Sequence, residues 1–458
     1  MKDIVGTIST IHPPIEVASE TTPNYQEALV NTRLLISYTD IQRSYIVITV
    51  PLLMTEAVFN QAALGQQQSI KAHGFIKGGA PMDYVKNNFK ESLLEHVKEF
   101  LLKYEVIPFL YKNFRTKKLL VVGSPRLMDI SLTLDKHAEF TFEFVKVSPI
   151  VIENWKYYPF KAPKRKNYKD IDRQVESFLT YEKEQLTKHS REKGIQLNDW
   201  VSFGLALVGQ DQALVFNRPS KYFWFKLNPQ DGEGTLRDIF IGKQPGETFY
   251  TNDAGLQEYF SSDIETNYLF CIHIEDFIPH TYFCIEQFKT HFRLKTNKEV
   301  HQKLIEVFSF RNDVCLRRSM VEETFKLLMA KHPFYPPEQL VERQAQMLME
   351  TVQDSPDYNV YRVQKDFRRH IRELAQRQVK EEILVDQFAC YENFTASDYE
   401  IKNYLSFFNR ARMKEFIYFE FPPHKVQGQE APIATDVLRK YCLSEKTINY
   451  IIYHLTKK

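Results

Sequence analysis

Glycine is scarce in this chain, and its scarcity narrows the field first. Only 15 of 458 residues are glycine, and neither a Walker loop nor a Gly-x-Gly-x-x-Gly fingerprint occurs. The glycine turns that cradle phosphates in nucleotide enzymes are therefore missing, and neither ATP dependence nor any other cofactor is expected. Cysteine is sparse as well. The five residues Cys271, Cys284, Cys315, Cys390 and Cys442 form no Cys-x-x-Cys pair, which argues against zinc or a disulfide framework and for free thiols in a reducing compartment. No run approaches the roughly 20 apolar residues of a membrane span. Residues Met1 to Pro14 lack an apolar stretch behind a basic start, so no signal peptide is expected. The cytoplasm is the expected location, with no membrane partner. A net charge of +2 gives no global field toward nucleic acid. His73, His96 and His273 lie far apart without a His-Glu-x-x-His spacing, so no metal site or catalytic histidine is expected.

What is present is length and apolar mass. The length suggests two to four domains. Apolar residues make up 43%, with 35 Phe and 25 Tyr, enough for sizeable cores or for sticky surfaces. Residues 1–33 read as a loose leader. Tyr45 to Val50 is β-branched and reads as a strand. Thr55 to His73 reads as a helix capped by Thr55. Met82 to Tyr104 reads as a second helix with Val85, Phe89, Leu93, Val97 and Leu101 on one face. Strands are expected over Lys118–Val122 and Glu139–Val147. Residues 34–150 thus form a small α+β domain.

A basic stretch around Pro163 and a charged segment, Asp172 to Lys193, read as a linker over 151–197. Strand signals return from Asp199. Val201, Phe203, Leu205 and Leu207 alternate, and Tyr222–Leu227 and Tyr268–Ile274 follow, which makes 198–280 a mostly β domain. Residues 281–458 are helical. One stripe runs through Leu340, Val341, Gln344, Met347 and Leu348 and is entered through Pro336-Pro337. Asp366 to Cys390 reads as a long charged helix. Thr395-Ala396-Ser397-Asp398 reads as a capping box opening a helix with Ile401, Tyr404, Leu405 and Phe408. Asp436 to Lys458 is apolar enough to pack but has no assigned place. No fixed-period repeat is visible.

The most informative local feature is Gly74-Phe75-Ile76-Lys77-Gly78-Gly79-Ala80-Pro81. Three glycines permit a tight turn between two helices. An aromatic and a cation sit between them, which a plain turn does not require. Either Phe75 stands out to wedge into a pocket while Lys77 meets phosphate or carboxylate, or Phe75 folds back onto the helices.

This loop is similar to the trigger-factor signature Gly-Phe-Arg-x-Gly-Lys-x-Pro. Gly74, Phe75, Gly78 and Pro81 match, and Asp83-Tyr84-Val85 continue the likeness. The signature arginine is Ile76 here and the second basic position is Gly79, so Lys77 is the remaining cation. The resemblance implies docking of Gly74, Phe75, Ile76, Lys77 and Gly78 on the large ribosomal subunit beside the peptide exit. Asp199-Trp200-Val201-Ser202-Phe203 and Gly242-Lys243-Gln244-Pro245-Gly246-Glu247 resemble the family's FKBP-like prolyl isomerase module. Its pocket segment Ile-Pro-Gly-Phe falls on Glu233-Gly234-Thr235-Leu236. A degenerate isomerase is implied, with Phe203, Leu236, Phe240 and Tyr259 lining a remnant pocket. The run from Val321-Glu322-Glu323 through Pro337-Glu338 to Lys380-Glu381-Glu382-Ile383-Leu384 resembles the family's helical substrate cradle. The resemblance there implies that Met347, Met349, Phe388, Phe407 and Phe408 bind nascent or unfolded polypeptides. Taken whole, it implies an elongated α+β multidomain chaperone with arms and no nucleotide. The isomerase domain would lie at the far end from the docking domain, and a homodimer is among the assemblies open to it.

Overall fold

The computed structural model describes residues 35–39, 44–71, 74–117, 121–147, 149–164, 169–188, 194–209, 212–215, 221–231, 236–260, 267–281, 283–311, 313–353, 355–422, 424–426 and 428–457. The expected leader 1–33, His73 and the pocket positions Glu233, Gly234 and Thr235 lie outside them.

The N-terminal unit is an antiparallel sheet of order β1-β2-β4-β3 covered by helices. Its elements are β1 (Leu35–Thr39), β2 (Ser44–Val50), α1 (Leu52–Ser69), α2 (Met82–Asn88), α3 (Lys90–Leu101), α4 (Ile107–Thr116), β3 (Val121–Ser131) and β4 (Ala138–Lys146). Ile46, Ile48 and Val50 alternate into the core of β2, as a half-covered strand requires. Helix α1 starts earlier than expected. Pro51 sets the entry, and His137 Nδ1 accepts the Leu52 N–H at 3.0 Å, so Thr55 is a buried interior residue and not the cap. The expected single helix from Met82 to Tyr104 is broken at Phe89, whose φ of −114° is not helical. The reason lies in the spacing. A strict step of four advances about 40° beyond a full helical turn each time, so the apolar stripe winds off the core unless the helix is interrupted. After α3 the backbone passes through a π turn, Leu102–Val106, which re-aims Tyr104.

The segment expected to be a linker is packed structure. Trp155 is buried with its ring 5.4 Å from that of Phe388, edge on. Helix α5 (Lys169–Lys188) buries Ile171 and Val175 in a core with Phe288, Leu304 and Phe308. The charge count hid an amphipathic stripe, since most charges on α5 face solvent.

The middle of the chain holds β5 (Trp200–Val208), β6 (Lys221–Lys226), β7 (Thr248–Thr251), α6 (Ala254–Phe260) and β8 (Leu269–Ile278). Every residue of β5 is buried, so the sheet is covered on both faces at this strand. Val201, Phe203, Leu205 and Leu207 join the core of the N-terminal unit. On the other side, Trp200 packs with Trp224, Ile401, Tyr404 and Leu438 of the C-terminal half.

That half comprises α7 (Ile285–Phe292), α8 (Asn297–Phe308), α9 (Leu316–Lys331), α10 (Glu338–Gln353), α11 (Phe367–Tyr391), α12 (Asp398–Ser406), a short β9 (Ile433–Ala434) and α13 (Thr435–Thr456). Strand β9 completes an antiparallel sheet of order β9-β6-β5-β8-β7, so the C-terminal half supplies an edge of the middle sheet. Helices α10 and α11 form a hairpin through Val341, Leu348, Ile371 and Ala375. The capping box of α12 is Ser397 with Glu400, two residues later than the expected Thr395–Asp398 pair. Ser397 reaches the Glu400 N–H and Glu400 reaches back to the Ser397 N–H, a geometry that Asp398 is too early in the chain to make. The tail expected to lack a place is α13, whose Leu438, Ile448, Ile451 and Ile452 are core residues.

The expected extended order, with the C-terminal half between the other two parts, is corrected by these cores. The N-terminal unit packs directly on the middle sheet. It also meets the root of the α10–α11 hairpin, where Val145 and Val147 touch the Leu340, Val379 and Ile383 cluster. Its β3 bulge is clamped there too: the Gly123 N–H donates to Glu382 at 3.1 Å, and the Gly123 carbonyl accepts from Lys440 at 3.1 Å.

Candidate functional site

The loop between α1 and α2 is the first candidate. Gly74 and Gly78 have φ of +87° and +80°, left-handed values that glycine adopts without penalty. The Gly79 N–H donates to the Ile76 carbonyl at 2.8 Å and closes a tight turn. The base of the loop is pinned, because Gln67 Nε2 donates to the Ala80 carbonyl at 2.5 Å and Ala80 is buried. Ile76 is 83% exposed and Phe75 38%. The Phe75 ring leans on Tyr84, with centroids 5.2 Å apart and a tilt of 56°. Phe75 therefore neither stands free nor enters the core. Lys77 is exposed beside it, so the tip offers two apolar side chains and one ammonium group.

The second candidate is the middle domain. Phe203, Leu236 and Phe240 are buried. The Phe203 ring lies 4.9 Å from Phe240 and 5.8 Å from Phe223. Tyr259 packs edge on against Phe260 at 4.9 Å, and burial pushes its hydroxyl pKa up. Three of the four expected lining residues thus lie in one core with Tyr259 packed at its edge, and the segment expected to complete the pocket, Glu233 to Thr235, lies outside the described residues. The turn Gly242–Glu247 is formed as a bracket for the sheet: Gln244 N–H donates to Glu247 Oε1 at 2.7 Å, and Gly246 N–H donates to the Ile274 carbonyl at 2.7 Å.

The N-terminal unit closes over the same domain through side chains that sequence reasoning missed. His96, Phe100 and Tyr104 follow one another at four-residue steps along α3 and the π turn. His96 Nε2 is 2.6 Å from the Tyr268 hydroxyl. The Phe100 ring lies 5.2 Å from Phe260 and 4.9 Å from Tyr268. The Tyr104 hydroxyl donates to the Leu205 carbonyl at 3.3 Å and accepts the Leu207 N–H at 3.2 Å. Beside them, Lys221 pairs with the fully buried Glu105 at 2.9 Å, and Lys103 donates to the Tyr259 carbonyl at 2.7 Å. An aromatic stripe at helical spacing was the available signal.

The helical half is the third candidate. Met347 on α10 is 49% exposed, and Val360 and Val363 at the turn of the hairpin are more exposed still. Met349 is partly buried in the hairpin seam, and Phe408 is partly buried against Phe421, 4.2 Å between rings. Phe388 and Phe407 are corrected: both are core residues, Phe388 among Trp155, Leu384 and Ile451, and Phe407 among Phe288, Phe292 and Phe416. Neither shows a client any surface. Among the described residues there is no cluster of three metal-ligating side chains and no helix long and apolar enough to cross a membrane.

Two family profiles match this chain. One, described as "Bacterial trigger factor protein (TF)", covers residues 38–178, and one described as "Bacterial trigger factor protein (TF) C-terminus" covers 298–416. The trigger factor of Rickettsia massiliae (strain Mtu5) is 22% identical over 428 residues, covering 90% of this chain and 91% of that protein. That of Rickettsia prowazekii (strain Madrid E) is 22% identical over 423 residues, covering 88% and 89%. A solved structure, "Promiscuous Substrate Recognition in Folding and Assembly Activities of the Trigger Factor Chaperone", aligns with 92% of this chain and 100% of its own, at 14% identity and a TM-score of 0.35. With the two profiles together matching more than half of its residues, at its N-terminal unit and in its helical half, the chain belongs to the trigger factor family.

Proposed function

We propose that this protein is an ATP-independent chaperone of the cytoplasm that meets nascent and unfolded polypeptides at the exit of the large ribosomal subunit. The observation that carries the reading is the Phe75-Ile76-Lys77 tip, exposed at the end of two helices and pinned at its base. An apolar wedge with one cation suits a protein–RNA rim, where the cation meets phosphate and the wedge finds a pocket. One cation gives a weak, salt-sensitive contact, so docking is transient. The clients' surface is the α10–α11 hairpin, with Met347, Val360 and Val363 offering soft apolar contacts that release without nucleotide. We assign residues 34–150 to docking and 281–458 to client binding. The middle domain, 198–280, acts as a brace, because Phe203, Phe223, Phe240 and Phe260 share one core with the N-terminal unit.

Co-sedimentation with ribosomes tests this. Wild type is expected to pellet with ribosomes at low salt, and Phe75→Ala/Lys77→Ala to stay in the supernatant. If the two pellet equally poorly, docking through this loop is wrong and a ribosome-independent chaperone remains; equally strong pelleting moves docking to another surface.

A further inference from the structure

The helical half encloses a second feature that chaperone activity leaves unused: a cavity of about 380 Å³ between α7, α8, α12 and α13. Its wall is polar and incompletely satisfied. Asn403 on α12 is 1% exposed, and neither its Nδ2 nor its Oδ1 has a partner. Asn449 on α13 lines the same cavity. Its Oδ1 accepts from Arg317 Nη2 at 2.5 Å, and its amide nitrogen lies 3.3 Å from His291 Nε2. Arg317 is itself buried, with Nε and Nη1 unpartnered. Each buried polar group left unmade costs roughly 1–3 kcal/mol, so a guest that meets these groups is stabilised here.

Charge says what kind. Two pairs on the wall are closed: Lys303 with Glu306 at 2.9 Å and Lys446 with Glu400 at 2.7 Å. Arg293 at the exposed end of α7 is held over the Tyr450 ring at 5.0 Å, and Arg317 adds a buried charge behind the wall. Burial, and after it the Arg317 charge, holds the His291 and Lys303 pKa values down, while the same guanidinium is offset in part by the buried Glu445 on α13, which leaves Arg293 as the cation at the cavity's edge that a guest can meet. Water satisfies hydrogen bonds but does not neutralise cations. Tyr450 and Tyr453 supply an apolar flank, and the volume falls in the range of small-molecule sites.

We propose that this cavity binds a metabolite-sized organic anion, with its acid group at Arg293 and the Asn403 amide and its carbon skeleton against Tyr450 and Tyr453. The site is independent of ribosome docking. Thermal unfolding of the full chain with acetate, benzoate, citrate or inorganic phosphate, each against chloride at equal ionic strength, tests it. At least one of the three organic anions is expected to raise the midpoint saturably, and a response to phosphate alone overturns the organic ligand. Arg293→Gln, on an exposed residue, is expected to raise the concentration needed about tenfold, and Asn403→Leu to abolish the response. If all four anions match chloride, or if both variants respond as wild type does, the proposal is overturned. A higher midpoint for Asn403→Leu together with no response of the wild type to any of the four anions means that the cavity holds water alone, which overturns it too.

Discussion

His96 and Tyr268 are joined side chain to side chain, with His96 Nε2 2.6 Å from the Tyr268 hydroxyl and the two rings stacked at 5.4 Å. The bond links a helix of the N-terminal unit to the head of a strand in the middle domain. It is fully buried, and burial pushes the His96 pKa down to about 4. The imidazole is therefore neutral at pH 7, and the join depends on its staying so.

The first prediction follows from this. The unfolded His96 titrates near 6.5 and the folded one near 4. Between those values the unfolded chain binds more protons, so stability is full above pH 6.5 and is lost as pH falls toward 4. Each pH unit in that window removes about 1.4 kcal/mol. Glu445 pulls the other way, because burial raises its carboxyl to about 7, so one stability curve mixes both. The contrast with His96→Gln isolates the histidine, since the amide can still meet Tyr268. Urea unfolding at pH 7 and pH 5 is expected to show wild type losing about 2 kcal/mol more than the variant. Identical pH responses would sink this account of the join.

Local elements were largely legible in the sequence, and their assembly was not. Strand β2 announced itself through Tyr45 to Val50, and the α10 stripe through Leu340, Val341 and Leu348, because period and burial agree there. The signature loop was legible because glycines at fixed spacing have one geometric use. The contact between the N-terminal unit and the middle domain was invisible for a physical reason. Phe100 and Tyr104 share one core with Leu93, Val97 and Leu101 of the adjoining stripe, and sequence period does not say which neighbour a helix face meets. Helix α5 failed differently. Its two buried aliphatics, Ile171 and Val175, are outnumbered by charges, and the carboxylate that anchors it, Glu182, looks like any solvated acid.

Glu182 gives the second prediction. It is buried, accepts from Arg410 at 3.0 Å and from the Phe283 N–H at 2.7 Å, and so fixes α5 to the helical half. Burial raises its pKa despite the guanidinium. Arg410→Met strands the carboxylate, and chemical denaturation is expected to show a loss of about 3 kcal/mol. Glu182→Met/Arg410→Met should recover most of that loss. A double variant as unstable as the single one would mean that the ion pair itself, and not an abandoned charge, holds the helix.

The middle domain gives the third. Phe203 and Phe240, expected to line a pocket, pack against each other with ring centroids 4.9 Å apart. A proline-limited refolding assay at stoichiometric protein is expected to show no acceleration of the slow phase. Acceleration that disappears in Tyr259→Ala would show that the packed rings open in solution and that the domain is a working enzyme.

The fourth separates packing from capture in the helical half. Phe388 is buried edge on to Trp155 at 5.4 Å, while Met347 is half exposed on the hairpin. Removing a buried phenyl ring leaves a cavity, so Phe388→Ala is expected to cost about 3–5 kcal/mol of stability. Met347→Ala, at the surface, should stay within about 0.5 kcal/mol of wild type. Suppression of aggregation of an unfolded client, measured well below both unfolding transitions, should move the opposite way. Met347→Ala weakens it, and Phe388→Ala leaves it intact while the fold persists. The two variants thus reverse their order between the stability and capture assays, which no shared unfolding defect can do. If Phe388→Ala instead lost capture at unchanged stability, its ring would have to be reaching clients, and the hairpin root would have to open to let it.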